Sequence, residues 1–263
     1  MPTKIHPTAI VSKKAELGAG VEIGPYALIG PEVKIGNDTS IASHVVIEGR
    51  ADIGKRCRIY TGACIGMPAQ TLKSERLHSS VIIGDENLFR EYVTIHSGIK
   101  EGSKTVIGDR NMLMVHSHIA HDCVLGDDII IANNTALGGH VSVDNNAMIG
   151  GLVGVHQFVR IGKLAMVGGL SKVVMDVAPF SIYDGHPSKF RGLNAVGLRR
   201  AGYPSKQMTE IKMALKALFG ERVDLARALP KVEKQFGDNP DVRTLLSFIQ
   251  KSKRGVGRVS AED

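Results

Sequence analysis

The chain contains no tryptophan, and aromatic residues make up only 5% of its 263 positions. Large rings carry much of the volume of an ordinary globular core, so their scarcity points to a narrow interior filled by Val, Ile, Leu and Ala. Cysteine is scarce too: Cys57, Cys64 and Cys123 show no paired spacing, which fits a reducing compartment rather than a disulfide framework. No apolar run approaches the roughly eighteen residues of a membrane-spanning helix, and no charged-then-apolar leader precedes Ile5. The expectation is a cytoplasmic protein, neither secreted nor membrane-spanning. A net charge of +7 suits an acidic partner. Nucleic acid is not expected, because no basic stripe with interleaved aromatics occurs.

What the chain has in abundance is a beat of six. A small or β-branched residue is followed two places later by an apolar one, and the unit restarts six residues on, twenty-five times in all. Ten units run from Ala9/Val11 to Ala63/Ile65, three from Val81/Ile83 to Val93/Ile95, and twelve from Thr105/Ile107 to Ser171/Val173. Six matches neither the 3.6 of a helix nor a long alternation of two, so the chain is a solenoid of hexapeptides. Two inward residues two places apart describe a short strand. Three such strands make a triangular coil of about eighteen residues, and successive coils stack by parallel pairing. The residue after the apolar one is Gly at 18, 24, 30, 36, 54, 66, 84 and 108, where it is expected to supply left-handed turns between strands. The expected fold is mainly β, a parallel β-helix over 1–184 with loops at 67–80 and 97–104, followed by a connector and helical domain over 185–263.

Both loops are polar, and the six-residue register resumes after each, as for segments extruded from a coil corner. The first carries Lys73, which marks it as functional. After Pro179 the hexads end, and Ser181–Gly202 reads as a Gly-, Asn- and Arg-containing connector. Helical spacing then takes over. Pro204 and Ser205 open a helix with Met208, Ile211, Leu215 and Leu218 along one stripe and Gly220 as its stop. A second helix is expected from about Asp224 to Phe236, and a third from near Pro240. Three such helices are too few for an independent core, so they are expected to pack on the end of the prism or on a neighbouring subunit.

Five of the ten histidines, His116, His118, His121, His140 and His156, fall within one stretch, and none occupies an inward hexad position. Because residues eighteen apart lie above one another, His121, Gly139 and Gln157 form one column and Asp122, His140 and Phe158 the next. These are the parts of an acyl-transfer site. An imidazole, ordinarily titrating near pH ~6.5, can take a hydroxyl proton, and Asp122 can orient it. The Gly139 N–H, unobstructed by a side chain, can stabilise an oxyanion. No G-x-S-x-G occurs and Cys123 points inward, which implies direct attack by a substrate hydroxyl. An alternative chemistry uses His116, His121 and a histidine of a neighbouring chain as a zinc site of the carbonic-anhydrase kind. That reading leaves the loop lysine, the connector and the helices without a role.

The stretches HIAHDC (from His118), GGHVSVDNNAMIGG (from Gly138), VHQF (from Val155) and MVGG (from Met166) closely resemble one family. It is the acyl-carrier-protein–UDP-N-acetylglucosamine O-acyltransferases that begin lipid A synthesis. IHPTAIV, the QTLK loop and GLNAVGLRRAG extend the resemblance over essentially the whole chain. The resemblance implies a left-handed prism, a homotrimer with sites in clefts between prisms, and no cofactor or metal. The donor would be an (R)-3-hydroxyacyl thioester on acyl carrier protein, and the acceptor the 3-position of a UDP-N-acetylglucosamine. Matched by motif, His121 is the general base, Asp122 its partner and Gly139 the oxyanion donor. Lys73, His118 and His140 would contact the acceptor sugar or its phosphates. His156, Gln157, Asn194 and Arg200 would hold the nucleotide, and Met166 and Gly169 would line the acyl-chain groove. The chain departs from the family pattern at Thr71, Val196 and Ala201, and has Pro187 where some members carry His. Those departures concern the acceptor and leave both a 3-hydroxyl and a 3-amino sugar open. Other acyl- and acetyltransferases of the same fold are the rivals within the class.

Overall fold

The computed structural model describes residues 2–71, 78–220 and 223–258. Three sheets of 11, 9 and 8 strands, parallel except for the last strand of the first, wrap into a left-handed parallel β-helix of triangular section. The first sheet runs through Glu22–Ile23, Ser40–Ile41 and Arg58–Ile59, the second through Leu28–Ile29 and Val46–Ile47, and the third through Glu16–Leu17 and Val33–Ile35. Register follows the repeat: Glu22 pairs with Ser40 and Ser40 with Arg58. The step lengthens where Arg58 pairs with Leu88 and Leu88 with Met112, so the register of the sheet is kept across each insertion. The inward residues fill the interior, with Val21, Val45, Ile65, Ile119 and Val159 fully buried. Cys57 and Cys123 are buried there as core filler, while Cys64 is half-buried. Polar residues at inward positions are satisfied by the neighbouring coils. Asn111 accepts from Ile129 N at 2.8 Å and donates to Gly126 O at 2.9 Å, while its own N–H donates to Asn87 Oδ1.

The structure corrects the expected role of the glycines. Among the eight singled out, only Gly66 has a left-handed backbone, at φ +83°. The left-handed corner lies two residues later, at the last hexad position, and is held by residues such as Tyr26, Asp38, His116, Asp122, His140 and Phe158 with φ between 57° and 66°. Glycine after the apolar residue serves close stacking instead. A Cβ on Gly36 would lie 2.6 Å from the carbonyl carbon of Gly54, and one on Gly24 2.8 Å from that of Ala42. Coils about 4.8 Å apart leave no room there for a side chain.

The region expected to be a connector is partly regular. Ser181–Asp184 joins the first sheet parallel to Met166–Val167, and Lys189–Leu193 folds back antiparallel on it. Then come α1 (Ala195–Arg200), α2 (Ser205–Phe219), α3 (Leu225–Phe236) and α4 (Pro240–Gln250). The sequence reading missed α1, because it is short and contains Gly197. Its one visible signal was Asn194, whose side chain accepts from Gly197 N and caps the helix. The apolar stripe of α2 buries Ile211, Leu215 and Leu218 as expected. The helices close the end of the prism: Phe219 stacks on Phe190 at 4.7 Å, and the Arg160 guanidinium lies 4.1 Å over the Phe248 ring. Beyond α4 the chain returns to the last coils. There Ser252 Oγ donates to the buried Asp176 at 2.8 Å, and Arg254 donates twice to Val174 O.

Candidate active site

The edge between the second and third sheets carries the histidine columns. His121 and Asp122 follow the strand His118–Ile119, and the left-handed corner at Asp122 (φ 59°) turns its side chain back toward its neighbour. His121 Nδ1 donates to Asp122 Oδ2 at 2.8 Å. A carboxylate only accepts, so the neutral ring carries its proton on Nδ1 and leaves the Nε2 lone pair available as a base. Asp122 is itself fixed. Its Oδ2 accepts from Ile99 N at 3.1 Å, and its backbone N–H donates to Thr105 Oγ1 at 2.9 Å. Burial would raise this carboxyl, yet the hydrogen bonds from His121 and the Ile99 N–H, with the neighbouring Ser103 hydroxyl, together hold it below the usual carboxylate range. The carboxylate is therefore ionised at neutral pH. The loop at 97–104, which sequence reading left without a function, supplies the Ile99 N–H bond.

Further imidazoles surround this pair. His140 lies edge-on to His121 at 5.2 Å, with Nε2 3.8 Å from Asp122 Oδ2, and stacks flat on Phe158 at 4.6 Å. His118 Nδ1 shares a hydrogen bond of 2.7 Å with Thr94 Oγ1, and His96 meets His118 edge-on at 5.0 Å. Burial, together with the neighbouring His118 and His121, pushes His96 down to about 4, and burial lowers His118 as well. Both rings are neutral in the working range. For His96 the linkage sign follows directly: between about pH 6.5 and about 4 the unfolded chain binds a proton that the folded one refuses. The thermal midpoint is thus expected to fall as pH drops through that window, and the fall should shrink in His96→Asn. Equal pH slopes for the two proteins in scanning calorimetry would count against this assignment.

Gly139 stands over His121, and a Cβ built on it would clash with the imidazole ring at Cε1 and Nε2. Only glycine allows the two to stack. The Gly139 N–H donates to no acceptor among the described residues, so it is open to a ligand. All of this borders a groove of about 490 Å³ on the outer face of the second sheet. Its floor is nearly bare backbone, with Ala120, Ala136, Gly138 and Gly154; Gln70, His96 and His118 stand at one end and His156 and Lys172 at the other. The arrangement can remove a proton from one bound group and stabilise negative charge on another.

The comparisons decide the family. Residues 176–257 match the family described as UDP N-acetylglucosamine O-acyltransferase, domain 2, and residues 104–139 the bacterial transferase hexapeptide. The acyl-[acyl-carrier-protein]–UDP-N-acetylglucosamine O-acyltransferase of Thermodesulfovibrio yellowstonii is 47% identical, over 97% of this chain and 99% of that protein. Its counterpart from Gloeothece citriformis is 46% identical, over 98% of this chain and 93% of that protein. The chain belongs to this acyltransferase family. The solved UDP-N-acetylglucosamine acyltransferase from Campylobacter jejuni superposes with a TM-score of 0.93 at 35% identity, covering 98% of this chain and 100% of that one.

Within the acyltransferase, the expected site residues do not all converge. His118, His121, Gly139 and His156 line the groove, and His140 backs His121. Gln157 lies at the same edge, its carbonyl accepting from His156 Nδ1 at 3.1 Å. Met166 lies in a strand of the first sheet and Gly169 at the edge it shares with the second, where a Cβ on Gly169 would be 3.3 Å from Gly151 O. Asn194 is 7% exposed, and its amide both caps α1 and donates to Leu164 O at 2.9 Å. Arg200 is exposed in the last turn of α1. Lys73 falls outside the described residues. His116 stacks on Tyr92 at 5.0 Å at the edge shared by the first and second sheets, so the chain does not bring it to His121 as the zinc alternative within one chain would require. Among the described residues, His121, Asp122 and His140 are the group whose ligand atoms, all within 4.8 Å, could hold a metal. No helix of the described residues is long and apolar enough to cross a membrane. Sequence reading missed His96, Thr94, Ile99, Ser103 and Thr105, which act through contacts across coils and loops.

Proposed function

We propose that this acyltransferase moves an (R)-3-hydroxyacyl group from acyl carrier protein to the 3-position of the glucosamine ring of UDP-N-acetylglucosamine. This is the first step of lipid A biosynthesis, carried out in the cytoplasm. The observation that carries the reading is the His121–Asp122 pair facing an open Gly139 N–H at the rim of the groove. His121 Nε2 takes the proton of the sugar hydroxyl as its oxygen attacks the thioester carbonyl carbon. The Gly139 N–H binds the resulting oxyanion, and ionised Asp122 stabilises the imidazolium. Collapse breaks the carbon–sulfur bond, and the departing thiolate recovers the proton from His121. An enzyme nucleophile is not needed. Cys123 is buried with its thiol pushed up to about 12, which leaves it unreactive.

Lys73, His118 and His140 would hold the acceptor, and His156, Gln157 and Arg200 the nucleotide, with Asn194 fixing the start of the helix that carries Arg200. The chain works as a homotrimer in this reading, because Gly169 and His121 occupy opposite edges of one sheet and a neighbouring prism can bring groove and base together. The prism over 1–184 would carry the chemistry. The region 185–263, with Lys206, Lys212, Lys216, Arg227, Lys231 and Lys234 on its helices, would offer the acidic carrier a basic surface. The deciding experiment pairs acyl carrier proteins of defined chain length with UDP-sugars bearing 3-OH or 3-NH₂. Turnover with a 3-hydroxyacyl donor and the 3-OH sugar is expected; turnover with neither sugar would reject the reading. In the same assay Gly169→Met is expected to shift preference to shorter chains, and an unchanged chain-length profile would remove Gly169 from the acyl groove.

A further inference from the structure

The groove ends on a cation that the chemistry above does not use. His118, Ala136, Gly154 and Lys172 occupy equivalent outward positions of four successive coils, in parallel register on the second sheet. At about 4.8 Å per strand, Lys172 stands roughly 14 Å along the trough from His118. Between them the outward positions carry no more than a methyl group, so the floor is open from one end to the other. The base of Lys172 is pinned: its N–H donates to Gly185 O at 3.1 Å, and its carbonyl accepts from Ser188 N at 2.8 Å. The side chain is exposed, and no carboxylate of the described residues forms an ion pair with it. Beside it in the groove stands His156, whose Nδ1–H is committed to Gln157 O, which presents Nε2 of the neutral ring as an acceptor.

We infer that Lys172 and His156 form a phosphate subsite at the far end of the groove, the lysine binding the anion and His156 Nε2 accepting from a neighbouring hydroxyl or amide N–H of the same ligand. The inference rests on the acyltransfer reading, since both proposed substrates carry phosphate. One has the diphosphate of the UDP-sugar, the other the phosphodiester of the carrier's pantetheine arm. A lysine at the end of a bare trough would thus fix how far along it one substrate is seated, while the proton chemistry proceeds at His121.

The test is steady-state kinetics of Lys172→Ala and Lys172→Arg, with UDP-sugar and acyl carrier protein varied separately. Lys172→Ala is expected to raise KM for one phosphate-bearing substrate about tenfold, as loss of a charge-assisted hydrogen bond entails, with kcat within about twofold. Lys172→Arg should recover most of that affinity. A rise confined to the UDP-sugar assigns the subsite to the diphosphate. A rise confined to the carrier assigns it to the arm, and a phosphate-free thioester of the same acyl group must then be used equally by wild type and Lys172→Ala. Unchanged KM for both substrates overturns the subsite, as does an equal loss with the phosphate-free thioester. Wild-type protein without turnover would instead condemn the acyltransfer reading.

Discussion

Replacing His121 by alanine is expected to lower kcat by about 10²–10⁴, the range a positioned general base supplies. The fold should be untouched, because the ring stands at a prism edge, outside the column of inward Val, Ile and Leu residues. Its side chain is 18% exposed, and its Nδ1 bond goes to its immediate neighbour Asp122 rather than into the core. The removed ring also leaves Asp122 with its bond from the Ile99 N–H, so no buried carboxylate is orphaned. The measurement is kcat at saturating substrate, alongside circular dichroism and the sedimentation profile. More than about a tenth of wild-type kcat remaining in a folded protein would reject His121 as the base.

Gly139→Ala should be nearly as damaging, although it adds a single methyl group. The backbone at Gly139 is not left-handed, so alanine carries no conformational penalty there. Its Cβ has nowhere to go except the space of the His121 ring, because stacked coils hold the two residues one above the other. Backbone locked into three sheets yields less than one imidazole, so the ring swings away from Asp122. A displacement of about 1 Å at the reacting groups costs on the order of 10² in rate. The expected result is a kcat reduced about a hundredfold with KM for both substrates changed little. A folded Gly139→Ala enzyme with wild-type kcat would show that the ring is not held against this glycine during turnover.

Much of this architecture is legible in the residues themselves. The period of six assigns Val21, Ile65 and Val159 to the interior and His121, His140 and Phe158 to the edges, and the structure agrees at each. The longer helices were equally readable, α3 from Asp224 to Phe236 and α4 from Pro240. The six-residue α1 was not, since one turn and a half with a glycine in it has no period to detect. The glycine after each apolar residue was misread because local conformation and stacking distance both favour glycine, and only the neighbouring coil distinguishes them.

By itself the sequence determined the prism, the loops that leave it, and a shared edge for His121, Asp122 and Gly139. These follow from short-range spacing, because a repeat of fixed length converts position in the chain into position in space. Only the tertiary structure decided that the 97–104 loop returns to bind Asp122 through the Ile99 N–H. It also showed that Asn194 spends its amide inside the fold, that His116 stacks on Tyr92 at another edge, and that Lys172 ends an open trough. Those facts depend on where an aperiodic loop lands and on which outward side chains are small in adjacent coils. Such contacts join residues far apart in sequence, and no local period encodes them.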